Sequence, residues 1–415
     1  MIRTILSFSL SMLAIVPSSA QMTLSQYRAE VVAYSHQLSS AEAAMDGAEA
    51  ALRISRKAFM PSLAVGGDID VAIRSREGRQ WGWSQSLDIE QPLYSGGALR
   101  ADLRSAEAVV EVNKSLLDRS HLNVRYQAES AYWQLSRAEI YRNAVADYLT
   151  IVKKLRTIVA RRFDEGYTSK SDLLQVESRY SDAEYQLSAA EQEYELALHD
   201  FNTLRGVELS ERVVLQNSIL DSVIMPQRAD SEILTSHPDY RVSLSEREVA
   251  RWAIRSNRAR FMPSIALRAY GLVAPRQPHI SGGGVVADGG AMLSISAPIF
   301  HFRELRDVVR RAESNYTRAA IEVEDVADRL RLEESNCWTN MLTTRSRVDA
   351  TRRSLRLAEE NLTISTYAYG EGSVTILDVL QAQLSWLQLY SNAIAAHYDY
   401  AIAIAAYRAI TGVEW

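Results

Sequence analysis

The residues Phe59-Met60-Pro61-Ser62 return 202 positions later as Phe261-Met262-Pro263-Ser264, and each copy opens a stretch where the hydrophobic period changes from helical to alternating. After the first copy Leu63, Val65, Ile69, Val71 and Ile73 are apolar, while Ser62, Ala64, Gly66, Asp68, Asp70 and Ala72 are small or acidic. The return segment sets Trp81, Trp83, Leu87, Ile89 and Leu93 against Gly82, Ser84, Ser86, Asp88 and Glu90. Successive strand residues face opposite ways, so the pattern predicts two strands of about ten residues around a polar turn over 74–80, as in a transmembrane β-hairpin. The second copy predicts another hairpin, with strands over 264–273 and 291–300 and a weaker alternation that includes Arg268. A hairpin packed on an ordinary core would alternate too, but the flanking sequence offers no such core.

That flanking sequence is helical. Residues 98–163 and 302–369 contain neither Gly nor Pro and are rich in Ala, Leu, Glu and Arg. Each would extend about 100 Å at about 1.5 Å per residue, several times the diameter of a compact domain. Residues 171–205 and 373–411 behave alike at about half that length. The halves also match at an offset of 206: Gln91-Pro92-Leu93-Tyr94 with Ala297-Pro298-Ile299-Phe300, Glu165-Gly166 with Glu371-Gly372, Asp172-Leu173-Leu174-Gln175 with Asp378-Val379-Leu380-Gln381, and Gly206-Val207-Glu208 with Gly412-Val413-Glu414. The change from 202 to 206 places a four-residue length difference between the first and second prolines of each half, consistent with a loop insertion. An internal duplication follows.

The shorter helices repeat one apolar spacing, Leu173, Val176, Tyr180, Ala183, Leu187, Ala190, Tyr194, Ala197 and Phe201, matched by Val379, Ala382, Trp386, Leu389, Ala393, Ala396, Tyr400, Ala403 and Tyr407. An average step of about 3.5 residues is the coiled-coil seam period and predicts lengthwise packing.

Of 415 residues, 47% are hydrophobic and the net charge is −5 with no long basic block, so a folded protein is expected and nucleic acid is not a partner. The single Cys337 excludes an intramolecular disulfide framework and Cys-rich zinc patterns. Residues 1–20 read as a secretory signal: Arg3, the apolar run 5–16 and Ser18-Ser19-Ala20 before a cut at Gln21. The mature chain then carries 45 basic and 51 acidic residues, net −6, and no cysteine follows the cut to accept a lipid anchor. No later segment has the roughly 18 to 20 apolar residues of a spanning helix, so membrane entry requires a β-barrel. Four strands cannot close one, and other chains must complete it; three copies give twelve strands, a number the pattern does not itself fix.

At this point the chain resembles the TolC-like outer-membrane efflux proteins over nearly its whole mature length. The resemblance is carried by the duplicated Phe-Met-Pro-Ser entries, the exit Gln-Pro-Leu-Tyr-Ser-Gly-Gly at 91–97, and the tips Arg162-Phe163-Asp164-Glu165-Gly166 and Tyr369-Gly370-Glu371-Gly372 with the Asp-Leu-Leu-Gln and Asp-Val-Leu-Gln runs that follow. It implies a mainly α chain with a β-barrel portion. Long coiled-coil hairpins and four transmembrane strands per chain would build, as a homotrimer, a twelve-stranded barrel and an α-helical tunnel. The division is 1–20 signal, 21–206 first repeat with its hairpin at about 61–95, 207–229 equatorial linker, and 230–415 second repeat with its hairpin at about 263–301. The resemblance also implies a passive exit duct of tripartite efflux or type I secretion. The chain would lie in the outer membrane, in contact with its lipid, and extend into the periplasm. Its partners would be a periplasmic adaptor and an inner-membrane RND or ABC pump.

Carried over by position, Asp172 falls on the family's gate aspartate, Ser171 on its hydroxyl neighbour, Tyr369 on the gate tyrosine and Asp378 on the first acidic ring of the aperture. Two positions depart: Val374 stands where the gate arginine would, and Gln381 where a second acidic ring would. On the same resemblance, Arg162, Gly166, Tyr167, Gly370, Gly372 and Ser373 would form the tips at which the adaptor docks. Equally, Asp172 and Asp378 suit first helical turns under caps at Ser169 or Ser373.

No catalytic constellation is present: no G-x-S-x-G, P-loop or Rossmann fingerprint, and Gly282-Gly283-Gly284 fits no phosphate loop. The seven histidines show no HExxH spacing, and His301 with Glu304 does not make a metal site. No enzyme and no cofactor are expected. Arg74, Arg76 and Arg79 are either a solvated turn or a contact for lipopolysaccharide phosphates; Trp81 and Trp83 suit an interfacial girdle, and Trp415 has no assignment. A non-conducting trimeric periplasmic coiled-coil scaffold would keep the seams without needing lipid-facing strands. Drugs, metal ions and secreted polypeptides all remain open as cargo.

Overall fold

The computed structural model describes residues 21–74, 78–221, 224–228, 235, 237–275, 284–299 and 302–412. The leader over 1–20, Arg76, Gly282, Gly283, Phe300, His301, Val413, Glu414 and Trp415 lie outside the described residues, as do the side chains of Arg74, Arg79 and Trp81.

In chain order the elements are α1 (Leu24–Tyr34), α2 (His36–Lys57), β1 (Ser62–Arg74), β2 (Gly78–Ser95), α3 (Ala98–Asp164), α4 (Lys170–Arg205), α5 (Pro238–Ala259), β3 (Ser264–Pro275), β4 (Val285–Ser296), α6 (Glu304–Gly370) and α7 (Ile376–Thr411). The duplication is visible in their lengths: α3 and α6 each have 67 residues, α4 and α7 each 36, and α2 and α5 each 22. Helices of 67 residues span about 100 Å. The turns between long and short helices use Gly166 and Gly372 at φ 80° and 74°, where a β-carbon would clash with the backbone. Among the described residues no helix is long and apolar enough to cross a membrane.

The four strands form one antiparallel sheet in the order β1-β2-β3-β4. They have 13, 18, 12 and 12 residues, longer than the expected ten or so. β2 is the longest because its two neighbours are staggered along it: residues 78–90 pair with β1 and 85–95 with β3, whereas the neighbours of β3, the other inner strand, both start at Ser264. The register shifts between Pro92 and Tyr94, a bulge where proline's missing N–H costs no ladder bond. The longer interval between strands in the second hairpin, 276–284 against 75–77, is where the extra residues fall.

Register sorts the sheet into two faces. Leu63 opposes Ile89, Val65 Leu87 and Ile69 Trp83 in the first hairpin; Leu267 opposes Leu293 and Ile265 Ile295 in the second. This apolar face is bare, with Val65 79% and Ile69 78% exposed. The other face carries Asp68, Ser84, Ser86, Asp88, Glu90 and Ser294. Arg268, which weakened the sequence pattern, belongs to it: it is the cross-strand partner of Glu90, with its Nε 3.2 Å from the carboxylate.

All the seam residues of α4 and α7 are buried or half-buried. They pack on α3 and α6 in successive layers. Val145, Tyr148, Val152, Ala183, Ala190, Ala382 and Trp386 form one cluster, and Leu155, Val159, Val176, Tyr369, Ile376, Val379 and Leu380 another at the tips. Nearer the sheet, Tyr27 stacks on Phe201 at 3.8 Å and donates its hydroxyl to the Phe201 carbonyl at 3.0 Å. Tyr132 donates to the Met22 carbonyl and accepts from the Asn217 N–H, and Ile219 N–H donates to Ser136. These bonds clamp the segment after α4 and the residues before α1 onto α3.

Candidate functional site at the helical tips

Each short helix starts with the same chemistry. Asp172 accepts from the Thr168 hydroxyl at 2.7 Å and the Ser169 N–H at 3.3 Å, while the Asp172 N–H donates to the Ser169 hydroxyl at 3.1 Å. Asp378, 206 residues on, accepts from the Thr375 hydroxyl at 2.7 Å and the Thr375 N–H at 2.9 Å. The cap of α7 is therefore Thr375 and not Ser373, because the residue equivalent to Ser169 is the one three positions before the aspartate. The Thr168 hydroxyl bond, with the Ser169 bonds, lowers the Asp172 pKa, and the Thr375 bonds lower that of Asp378. Both aspartates are carboxylates at neutral pH.

Tyr369 is 6% exposed and packs in the tip cluster. The bonds of the Asp172 carboxylate run to Thr168 and Ser169, within its own tip, and Val374 packs against the cluster that holds Tyr369. Ser171, Asp378 and Gln381 are exposed. A groove of about 660 Å³ between α4 and α7 is lined by Ser171, Leu174, Gln175, Arg179, Leu377 and Gln381, among others. Gly166, Gly370, Gly372 and Ser373 are exposed and Tyr167 is 79% exposed, all at the ends of the helices. Arg162 is half-exposed and reaches the second tip, where it donates to the carbonyls of Tyr369 at 3.1 Å and Gly370 at 2.9 Å. The sequence pattern does not foretell this contact.

Two further features were not singled out by sequence. Glu129, in the middle of α3, is buried beside Arg408 and within the electrostatic reach of Arg28. His237 and His397 are buried and satisfied. His237 caps α5, its Nδ1 accepting from the Asp239 N–H at 3.2 Å, and it bonds the Ala409 backbone; His397 bonds the Ile219 backbone. Burial lowers both pKa values below the ordinary 6.5. Around His237 the Asp239 and Glu333 charges oppose that shift and Arg119 adds to it, while beside His397 Arg352 adds to it. A depressed folded pKa stabilises the fold fully above the unfolded value, and the stabilisation is lost as pH falls. The apparent Tm should therefore drop between about pH 7 and about pH 5, a range in which histidine titrates and the two tip aspartates do not. His237→Asn with His397→Gln should flatten that slope; an unchanged slope would assign the loss to other groups. Among the described residues no three His, Cys, Asp or Glu side chains come together to hold a metal ion.

Long paired helical hairpins hung from an open sheet with one bare apolar face define a class of outer-membrane channel components. The chain matches the family model for outer membrane efflux proteins over residues 28–207 and 230–413 and belongs to that family. The outer membrane efflux protein BepC of Brucella suis biovar 1 (strain 1330) is 23% identical over 329 residues, 79% of this chain and 71% of BepC. Among solved structures, CusC, described with conformational changes accompanying folding and transmembrane channel formation, superposes with a TM-score of 0.83 at 16% identity, covering 94% of this chain and 92% of CusC. The Campylobacter jejuni CmeC outer membrane channel superposes with a TM-score of 0.82 at 20% identity, covering 94% of this chain and 85% of CmeC. At those identities the structures establish a shared fold.

Proposed function

We propose that three copies of this chain complete a twelve-stranded barrel in the outer membrane and a helical tunnel through the periplasm. The assembly is a passive exit duct that works with a periplasmic adaptor and an inner-membrane RND or ABC pump. The observation that carries this reading is the sheet: β1 and β4 each pair on one side only, while one face is mostly apolar and, among the described residues, bare. Open edges in lipid leave backbone donors and acceptors unsatisfied, so further copies must close the sheet, with the apolar face toward lipid and the Asp68, Asp88 and Glu90 face toward water. Phe59, Met60, Phe261, Met262, Ile299 and Phe302, all exposed where strands meet helices, suit the periplasmic membrane boundary. A non-conducting scaffold has no use for such a sheet.

The repeats 21–206 and 230–415 are joined by 207–229 at the tunnel's equator, and export follows a cleaved leader without lipidation. At the periplasmic end Ser171, Asp172 and Tyr369 form the gate, Asp378 and Gln381 ring the aperture, and the exposed glycines of both tips with Tyr167 and Ser373 meet the adaptor. Three Asp378 carboxylates in a narrow aperture would focus a negative potential and favour cations. Asp378→Asn is expected to shift the reversal potential toward zero in a salt gradient without reducing open conductance; an unchanged cation preference would place the selectivity elsewhere.

The overall reading is tested by planar-bilayer recordings of protein extracted from outer membranes, with the mass of the detergent complex measured on the same sample. A trimer with small, cation-selective conductance supports the duct. A trimer that never conducts would restore the scaffold.

A further inference from the structure

Arg162 lies in the last turn of α3, yet its guanidinium serves another helix. It donates to the carbonyls of Tyr369 and Gly370, and its carbon centre sits 4.9 Å from the centroid of the Tyr369 ring. Those carbonyls belong to the final residues of α6, whose last turn contains no basic residue, whereas α3 ends with Arg161 and Arg162. The asymmetry lies in the sequence: the position equivalent to Arg162 in the second repeat, 206 residues on, is Ala368. The carbonyl end of α6 carries negative partial charge, and the first tip supplies the cation that the second lacks. Two donors of one planar guanidinium on adjacent carbonyls also fix an orientation that a single bond would not.

The tie crosses between hairpins. Within one tip, α3 turns directly into α4 and α6 into α7, so those pairs are held by chain connectivity. Between the tips, the contacts include the apolar cluster around Tyr369 and this fork of two bonds. The position that would hold a gate arginine is Val374, an apolar residue that can only pack. We propose that Arg162 is the latch of this chain. It is a positioning residue that locks the second tip against the first within a subunit, and the periplasmic end opens by releasing it. The latch rests on the channel reading for its function, but the tie itself does not.

Three variants separate latch from cap. In Arg162→Ala, amide exchange over residues 371–374 should quicken by about tenfold, the loss expected of charge-assisted bonds at a part-exposed site. Conductance of the closed state should rise several-fold in planar bilayers. Arg162→Lys, which keeps the charge but not the fork, should restore exchange in part and closure little. Adding Ala368→Arg to Arg162→Ala returns a cation to the end of α6 without crossing between tips. It should restore slow exchange while the end stays leaky. Closed-state conductance unchanged in Arg162→Ala, or fully restored by Ala368→Arg, would overturn the latch. If the unaltered protein does not conduct, the duct reading fails and exchange alone decides the tie: quickening at 371–374 in Arg162→Ala supports it, and unchanged exchange overturns it.

Discussion

Glu129→Ala is expected to destabilise the protein by about 3–5 kcal/mol, the cost of removing one partner from a buried ion cluster. Glu129 is 1% exposed in α3, and its carboxylate lies 3.4 Å from a guanidinium nitrogen of Arg408 at the end of α7. The charge of Arg28 in α1 also acts on it, so three elements distant in sequence share one buried anion. Burial raises the Glu129 pKa, and Arg408 and Arg28 pull it back toward ionisation. Removing the anion leaves two guanidinium groups that repel each other with no counter-charge from Glu129. Glu129→Gln discriminates between causes, because it keeps the shape and removes the charge. If charge compensation is what matters, Gln should cost nearly as much as Ala; if packing matters, Gln should be mild. Apparent Tm by circular dichroism in detergent, at one protein concentration because assembly contributes to stability, measures both. A drop below about 1 kcal/mol for Ala would mean that water reaches the cluster in the assembled protein.

Ile69→Arg is the second large effect, about 2–4 kcal/mol against membrane insertion if the residue lies near the bilayer midplane. Ile69 sits on the bare apolar face opposite Trp83, and its neighbour Asp68 points to the polar face. Asp68→Arg is the control: one residue away, the same strand, the other face. Folding into lipid vesicles, followed by the gel shift between folded and heat-denatured forms, should fail or slow for Ile69→Arg and proceed for Asp68→Arg. Equal impairment of both would mean that the face pointing to lipid is not the apolar one, and the barrel assignment would fall.

These two experiments probe the parts of the molecule that sequence reveals least and most. The strand faces are legible because the alternation has a period of two, so a residue's side follows from its number once one neighbour is placed. Helix lengths and seams are legible for a similar reason: uninterrupted strong helix formers propagate, and a 3.5-residue step marks a lengthwise contact. The duplication then carries one half's reading to the other, as the paired caps Ser169–Asp172 and Thr375–Asp378 demonstrate. Where the period weakened, at Arg268, register recovered the answer by pairing it with Glu90.

At the tips, sequence identified the neighbourhood but not the contacts. The pattern places Arg162 only among the tip residues at which an adaptor would dock, and it reaches carbonyls more than two hundred residues away. Tyr369 carries a hydroxyl suited to a polar link and lies packed among Leu155, Val159 and Val379. Glu129 reads as one more helical carboxylate until α1 and α7 close over it.

The amino-acid sequence by itself determined the duplicated plan, the helix lengths, the seams and the two-faced strands, because each follows from interactions between residues close along one element. Only the tertiary structure decided that β2 and β3 pair to join the two hairpins, that Arg162 spans the two tips, and that Glu129 and the two histidines are buried. Those outcomes depend on how separate elements are placed against one another, and no local period encodes that placement.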